Sequence, residues 1–427
     1  MDKKDNKYSE YIKILKEELI PATGCTEPIA LAYAAAKARE VLGVLPEKCR
    51  VEVSGNIIKN VKSVIVPNTN GLKGIEATLA AGITVGDPLK MLEVLSEIRE
   101  EDKSKIAQYQ KQHEISVVPY EGDAVFYIDV TLYEGDAYSK VVIESYHTNI
   151  VLIEKNGETL FKAGSKNEGT IGVTDRSLLN VQDIVDFADT VELSDIQEVI
   201  ERQLKYNSAI AAEGMTKDWG ANIGKTLIDT YGSDIKVRAR ASAAAGSDAR
   251  MGGCEMPVII LSGSGNQSLT ASLPVIEFAS ELMVSHEKLI RAVALSDLIA
   301  IHQKTSIGRL SAFCGAISAG CAAGAGIAYL NGGDYEAVSH TVVNALAVVS
   351  GIVCDGAKAS CAAKIAMAVD AGILGYSMYQ NGQQFFSGDG IVSKGVDNTI
   401  ANIGRMASKG MRETDREILN IMVGRNC

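Results

Sequence analysis

Hydrophobic positions along the chain change their spacing three times, and each change predicts a different kind of structure. Residues 7–44 carry helical spacing in two stretches separated by PATGCTEP. From Val51 to about Lys162 the pattern is mixed. VEVSG and SVIVP have the short apolar runs of strands, whereas GIEATLAAG, DPLKMLEVLSEIRE and DKSKIAQYQKQ have helical spacing. ISVVPY, AVFYIDVTLYE, SKVVIESYH and NIVLIEK follow, rich in Val, Ile and Tyr and cut by EGD, EGD and NGE. Such runs between turn signals predict antiparallel strands. From about Asp195 the strand pattern fades. Ala/Gly-rich helical segments take over, among them SLPVIEFASELMV, HEKLIRAVALSDLIAIHQK, DYEAVSHTVVNALAVVSGI and CAAKIAMAVDAGILGYSM. No solenoid period and no low-complexity tail interrupts them.

The patterns together predict an α+β fold. A large Ala/Gly-rich helical domain is expected from residues 1–44 and 195–427, a smaller mixed α/β domain with antiparallel strands from 45–165, and a connector from 166–194. One uncharged stretch, FCGAISAGCAAGAGIAYL at 313–330, is long enough to suggest a membrane span. It is built of small residues, and its flanks KTSIGRLS and NGGDYE lack an aromatic belt. It therefore predicts a buried helix whose neighbours approach closely, and no membrane association is expected.

Charge narrows the classes further. The chain has 42 Lys and Arg against 53 Asp and Glu, a net charge of −11, and no basic run. A nucleic-acid partner is not expected, since such proteins present a basic face. The N-terminal MDKKDNKYSEYIKILKEELI has no apolar core of a secretory signal, so the eight cysteines are expected as reduced thiols in a cytoplasm.

The cysteines are Cys25, Cys49, Cys254, Cys314, Cys321, Cys354, Cys361 and Cys427, with no CxxC pair among them. Seven residues along a helix rise about 10.5 Å, so Cys314 and Cys321, both expected within one uninterrupted helix, make poor joint ligands. Cys354 and Cys361 sit in CDGAKASC, where Asp355-Gly356 signals a turn before a helix expected to begin near Ala357. A turn that folds back can bring both thiols to one site, with Cys314 as the third ligand nearest in sequence. Buried structural cysteines account for the same spacing. Cys25 lies in GCTEPIA, at the expected N-terminus of IALAYAAAKAREVLG. A thiol there is a small buried filler, a ligand, or a reacting group whose anion the helix end favours. Glu27 acts against that anion, or is simply a first-turn helix acid.

GCTEPIALA, SGNIIKNV at 54–61, SGSGNQ at 262–267, GRLSAFCG at 308–315 and CDGAKASCAAK at 354–364 together resemble the L-cysteine desulfidase (UPF0597-type) family, which is related to the iron–sulfur L-serine dehydratases. The resemblance runs over essentially the whole chain. It implies a [4Fe–4S] cluster held by three cysteines, matching Cys314, Cys354 and Cys361, with one iron left open. It also implies Cys25 as proton acceptor, where the serine dehydratases carry a histidine-threonine pair in place of Cys25-Thr26. The reaction implied is β-elimination of L-cysteine to pyruvate, ammonia and sulfide, without pyridoxal phosphate. The same chemistry on L-serine and an iron–sulfur protein without turnover are the alternatives.

The expected substrate is a small amino acid, and a homodimer is the candidate assembly. Candidate substrate contacts are Thr26, the loop residues Ser264, Gly265 and Asn266, whose backbone N–H groups suit a carboxylate, and Arg309, which suits bidentate pairing. Plain turn residues and an internal ion pair are the alternative readings of these positions. Cys427, the last residue, is a candidate ligand for the open iron before substrate arrives.

Overall fold

The computed structural model describes residues 1–163, 174–308 and 310–424. Arg309, Cys427 and residues 166–173 of the expected connector lie outside them. The first part of the chain runs α1 (Asn6–Glu18), β1 (Pro21–Thr23), α2 (Thr26–Leu42), β2 (Lys48–Val53), α3 (Gly55–Val61), α4 (Gly74–Val85), α5 (Glu100–Gln112), β3 (Glu114–Pro119), β4 (Tyr127–Glu134), β5 (Ala137–Glu144), β6 (Ile150–Lys155) and β7 (Glu158–Lys162). The second part is helical except for one short strand: α6 (Val181–Thr190), α7 (Leu193–Thr216), α8 (Ile223–Tyr231), α9 (Ile235–Met251), β8 (Pro257–Ile259), α10 (Gly265–Glu281), α11 (His286–Ile307), α12 (Gly315–Leu330), α13 (Tyr335–Val349), α14 (Cys361–Gln380), α15 (Val396–Arg405) and α16 (Arg412–Val423). The fold is α+β.

Strands β2 to β7 form one sheet in the order β3-β2-β4-β5-β6-β7. All its pairs are antiparallel except β2–β3, which is parallel. The ISVVPY strand was expected to be antiparallel. The chain leaves β2 and returns to β3 through α3, α4 and α5, and a crossover of that length delivers a parallel neighbour. Two other expectations are corrected here. SVIVP forms only an isolated bridge, Ile65 with Lys73. DPLKMLEVLSEIRE holds a short 3-10 turn, Pro88–Glu93, whose helical spacing is broken at Met91 by a positive φ of 46°.

Two cores divide the apolar side chains. In one, α2 and α4 cover the sheet, and Ile29, Leu31, Val51, Leu79, Ile128, Val130 and Val141 are fully buried. The other joins α1 to most of the helices between α6 and α15, while α8 packs in a smaller cluster with α9 and α14. Residues 1–44, read from the sequence as part of the helical portion, are thus shared: α1 packs with the helices and α2 with the sheet. The small-residue stretch forms α12, buried at every position from Ala316 to Leu330 and packed by α10, α11, α13 and α14. Its backbone meets α14 directly. A Cβ placed on Gly324 would lie 2.5 Å from the Gly372 carbonyl oxygen, so glycine sets the crossing distance. By length and composition one described helix, α14, is apolar enough to cross a membrane, and it packs here on α9, α12 and α13.

One pairing joins the two halves near their polar loops. β1 runs antiparallel to β8, with Pro21 opposite Ile259 and Thr23 opposite Pro257. The turn after β1 is GCTEP and the turn after β8 is SGSGNQ, so this two-strand sheet brings both motifs together.

Candidate active site

Four helices begin at one cleft. Cys25 is the N-cap of α2, Ser264 of α10 and Cys314 of α12, and Cys361 is the first residue of α14. Helix N-termini present unsatisfied N–H groups and a partial positive charge, so the cleft is electrostatically suited to anions. None of the side chains at Cys25, Ser264 or Cys314 caps its own helix, which leaves all three for other work.

Two of the expected helix positions shift. Cys314 precedes α12 instead of lying inside it, and α14 starts at Cys361, not near Ala357. Phe313 and Val353 form an antiparallel bridge, with the Cys314 N–H donating to Ile352 at 3.2 Å and the Cys354 N–H to Ala312 at 2.6 Å. That bridge sets Cys314 and Cys354 side by side, and the following turn returns Cys361 to them. All three line the cleft, while Cys321 lies two turns into α12, fully buried and away from it.

The three thiols interact electrostatically. Burial pushes Cys314 up, and the Cys354 and Cys361 thiols add to the rise. Cys361 is likewise raised, first by burial, against the N–H of Lys358. A metal bound there would deprotonate its coordinating thiols outright. Among the described residues, no three His, Cys, Asp or Glu side chains are gathered for a single ion. A set of soft sulfur donors sharing one cleft fits an iron–sulfur cluster. Lys358 and Lys364 flank this group and both pair with Asp355, whose carboxyl they hold at about 2 against the opposing cost of burial.

Cys25 faces the same cleft, 1% exposed, with Sγ 3.9 Å from the Met251 Sδ. Burial pushes its thiol up to about 12, Arg250 pulls it down, and Glu27 and Cys361 add to the rise. The helix end alone was expected to favour the thiolate, but desolvation outweighs it here. Thr26 is buried and donates to the Gly263 carbonyl at 2.8 Å. Ser264 and Asn266 line the cleft; Gly265 sits behind them, where a Cβ would lie 2.5 Å from the Arg250 Nε. That absence of a side chain lets Arg250 reach Asn266, at 3.1 Å to Oδ1.

A family model described as the serine dehydratase alpha chain matches residues 89–420. The chain belongs to that family. Within this family it is similar to a UPF0597 protein of Desulfitobacterium hafniense, 60% identical over 99% of this chain and 98% of the relative. UPF0597 proteins of Lachnoclostridium phytofermentans and Treponema denticola are 50% and 47% identical, covering 97% and 98% of this chain and 100% and 98% of their own. The match to the serine dehydratase alpha chain contains Cys314, Cys354 and Cys361 but not Cys25-Thr26, which lies only within the span shared with the UPF0597 relatives.

In this serine dehydratase-like protein the cleft also holds residues that the sequence did not single out. Arg250 is 4% exposed, and its Nε is buried without a hydrogen-bond partner. Its signal was a charged pair, Asp248 and Arg250, inside the small-residue run ASAAAGSDARM. Glu27, Asn60, His147 and Lys304 complete the polar wall. Asn60 belongs to SGNIIKNV, but His147, in the turn between β5 and β6, had no metal-ligand spacing to mark it.

Proposed function

We propose that this protein is an iron–sulfur-dependent lyase that eliminates the β-substituent of a small L-amino acid, with L-cysteine as substrate. The observation that carries the reading is the convergence of three thiols, a fourth separate thiol and an anion-suited helix end on one cleft. When bound through Cys314, Cys354 and Cys361, a [4Fe–4S] cluster leaves one iron open and supplies a Lewis acid. The α10 N-terminus and Arg250 hold the substrate carboxylate, as helix ends and guanidinium groups do. Cys25 Sγ takes the Cα proton, and Arg250 is the cation that favours its thiolate form. The released electron pair forms Cα=Cβ, the Cβ–S bond breaks, and sulfide leaves with both electrons of that bond. The enamine product takes a proton at Cβ, and water hydrolyses the resulting imine to pyruvate and ammonia.

The family match supports L-serine as a second reading, with hydroxide leaving as water. The Cys25-Thr26 turn supports L-cysteine, because a thiol base differs from the pair the serine dehydratases use. Anaerobic reconstitution with iron and sulfide, followed by assay of pyruvate and sulfide from L-cysteine and of pyruvate from L-serine, separates them. About four iron and four sulfide per chain are expected, and Cys354→Ala should remove both. Iron retained in that variant would sink the cluster, and a loaded protein inert toward both amino acids would leave an iron–sulfur protein without turnover.

A further inference from the structure

Two polar groups lining the cleft are held close together yet lie beyond hydrogen-bond distance of each other. Glu27 Oε1 and His147 Nε2 are 3.9 Å apart, within ion-pair range but beyond a hydrogen bond. His147 is 5% exposed, its ring set edge-on to Phe126, and its Nε2 is buried with no hydrogen-bond partner. Such an orphan costs about 1–3 kcal/mol unless something fills it.

Glu27 also has acceptor capacity to spare. Asn60 Nδ2 donates to Oε1 at 3.1 Å. Thr26 Oγ1 lies 3.1 Å from Oε2, but its single proton is directed to Gly263 at 2.8 Å. A carboxylate offers about four acceptor sites; Asn60 and the Glu27 backbone N–H engage part of them, and the carboxylate lines the cleft. Among the described residues, no lysine or arginine comes within ion-pair distance of it.

We propose that Glu27 and His147 form the subsite for the substrate α-ammonium group. This rests on the elimination reading above and deepens it, because it names the residues that tell an α-amino acid from a 2-hydroxy acid or a simple carboxylate. An ammonium has three donors and no acceptor. One N–H goes to Glu27 Oε1, one to Oε2 and one to His147 Nε2. A nitrogen about 2.9 Å from both Oε1 and Nε2 subtends an angle of roughly 85° across the present gap. Widening the gap by under about 1 Å makes the angle tetrahedral. Thr26 ties this subsite to the Gly263 loop that leads into α10, so the amine and carboxylate sites line the same cleft.

The test uses ligands that have no leaving group and so do not react. Anaerobic reconstituted protein is titrated by calorimetry with L-alanine and with propionate, which differ only in the amine. Wild type should bind L-alanine about 100-fold more tightly, the value of a charge-assisted contact in a buried site. Glu27→Gln should bring that preference to within about threefold while leaving propionate affinity and iron content unchanged. His147→Leu should lower it about tenfold, which tests the same subsite independently of α2 folding.

Wild type with no amine preference, or a preference that survives Glu27→Gln, overturns the subsite. An amine preference lost in both variants supports it even where neither L-cysteine nor L-serine yields pyruvate. The binding test therefore fails separately from the proposed reaction.

Discussion

Cys25 is set apart from the other cleft thiols by its place on α2. It packs with Met251 and Val64, with Ala357 and Cys361 against them and Arg250 as a positive neighbour, and it stands at the N-cap of α2 with its thiol unbonded to the helix. Cys25→Ala should therefore keep the iron content and visible absorbance of the loaded protein and lower turnover by about 10³-fold, the range of a lost general base. Loss of iron in that variant would make Cys25 a ligand. The same residue marks what the sequence could reveal. The helix boundary at GCTEP was legible from local residue types. The cost of desolvating the thiol was not, because it depends on Met251, which lies 226 residues away in sequence. His147 was illegible for the same reason: nothing near it in sequence announces that Glu27 is its neighbour.

Long periodic helices were legible as elements because apolar spacing repeats over many residues. β1 and β8 were not, since three residues carry no period. Yet those two strands bring GCTEP beside SGSGNQ and so create the cleft. The α12–α14 crossing was legible in kind from its small residues, although the partner helix was not. Its closeness has a measurable consequence. Alanine at a helical glycine gains about 1 kcal/mol in propensity, but overpacking a tight crossing costs about 1–3 kcal/mol. A β-branched residue adds to that cost. Gly372→Val should lower the thermal midpoint by several degrees, whereas Met367→Ala, on the half-exposed face of the same helix, should change stability by less than about 0.5 kcal/mol.

Across the whole molecule, one buried acid sets a pH dependence. Asp297 is fully buried on α11, accepts from Gln203 at 3.0 Å, and has its other oxygen unpartnered. Desolvation pushes its carboxyl up to about 8, against the lowering by Gln203. A raised folded-state value means that the native protein holds this proton more tightly than the unfolded chain. Its contribution is full below about pH 4 and is lost as pH rises through 8, at about 1.4 kcal/mol per pH unit. Asp297→Asn removes that slope. Anaerobic melting should find the variant gaining on wild type as pH rises from 5 to 8. A gap between the two that stays constant over this range would rule out a proton on Asp297.

The polar wall of the cleft and its thiols are also far apart in time. Glu27 leaves the ribosome more than 300 residues before Cys361, roughly 15–70 s at ordinary elongation rates. During that interval the β1 edge has no β8 to pair with, and three of the four helix ends are not yet made. A group held by Cys314, Cys354 and Cys361 can then be bound only after most of the chain has been made, so iron offered to a chain stalled before Cys354 should not be retained.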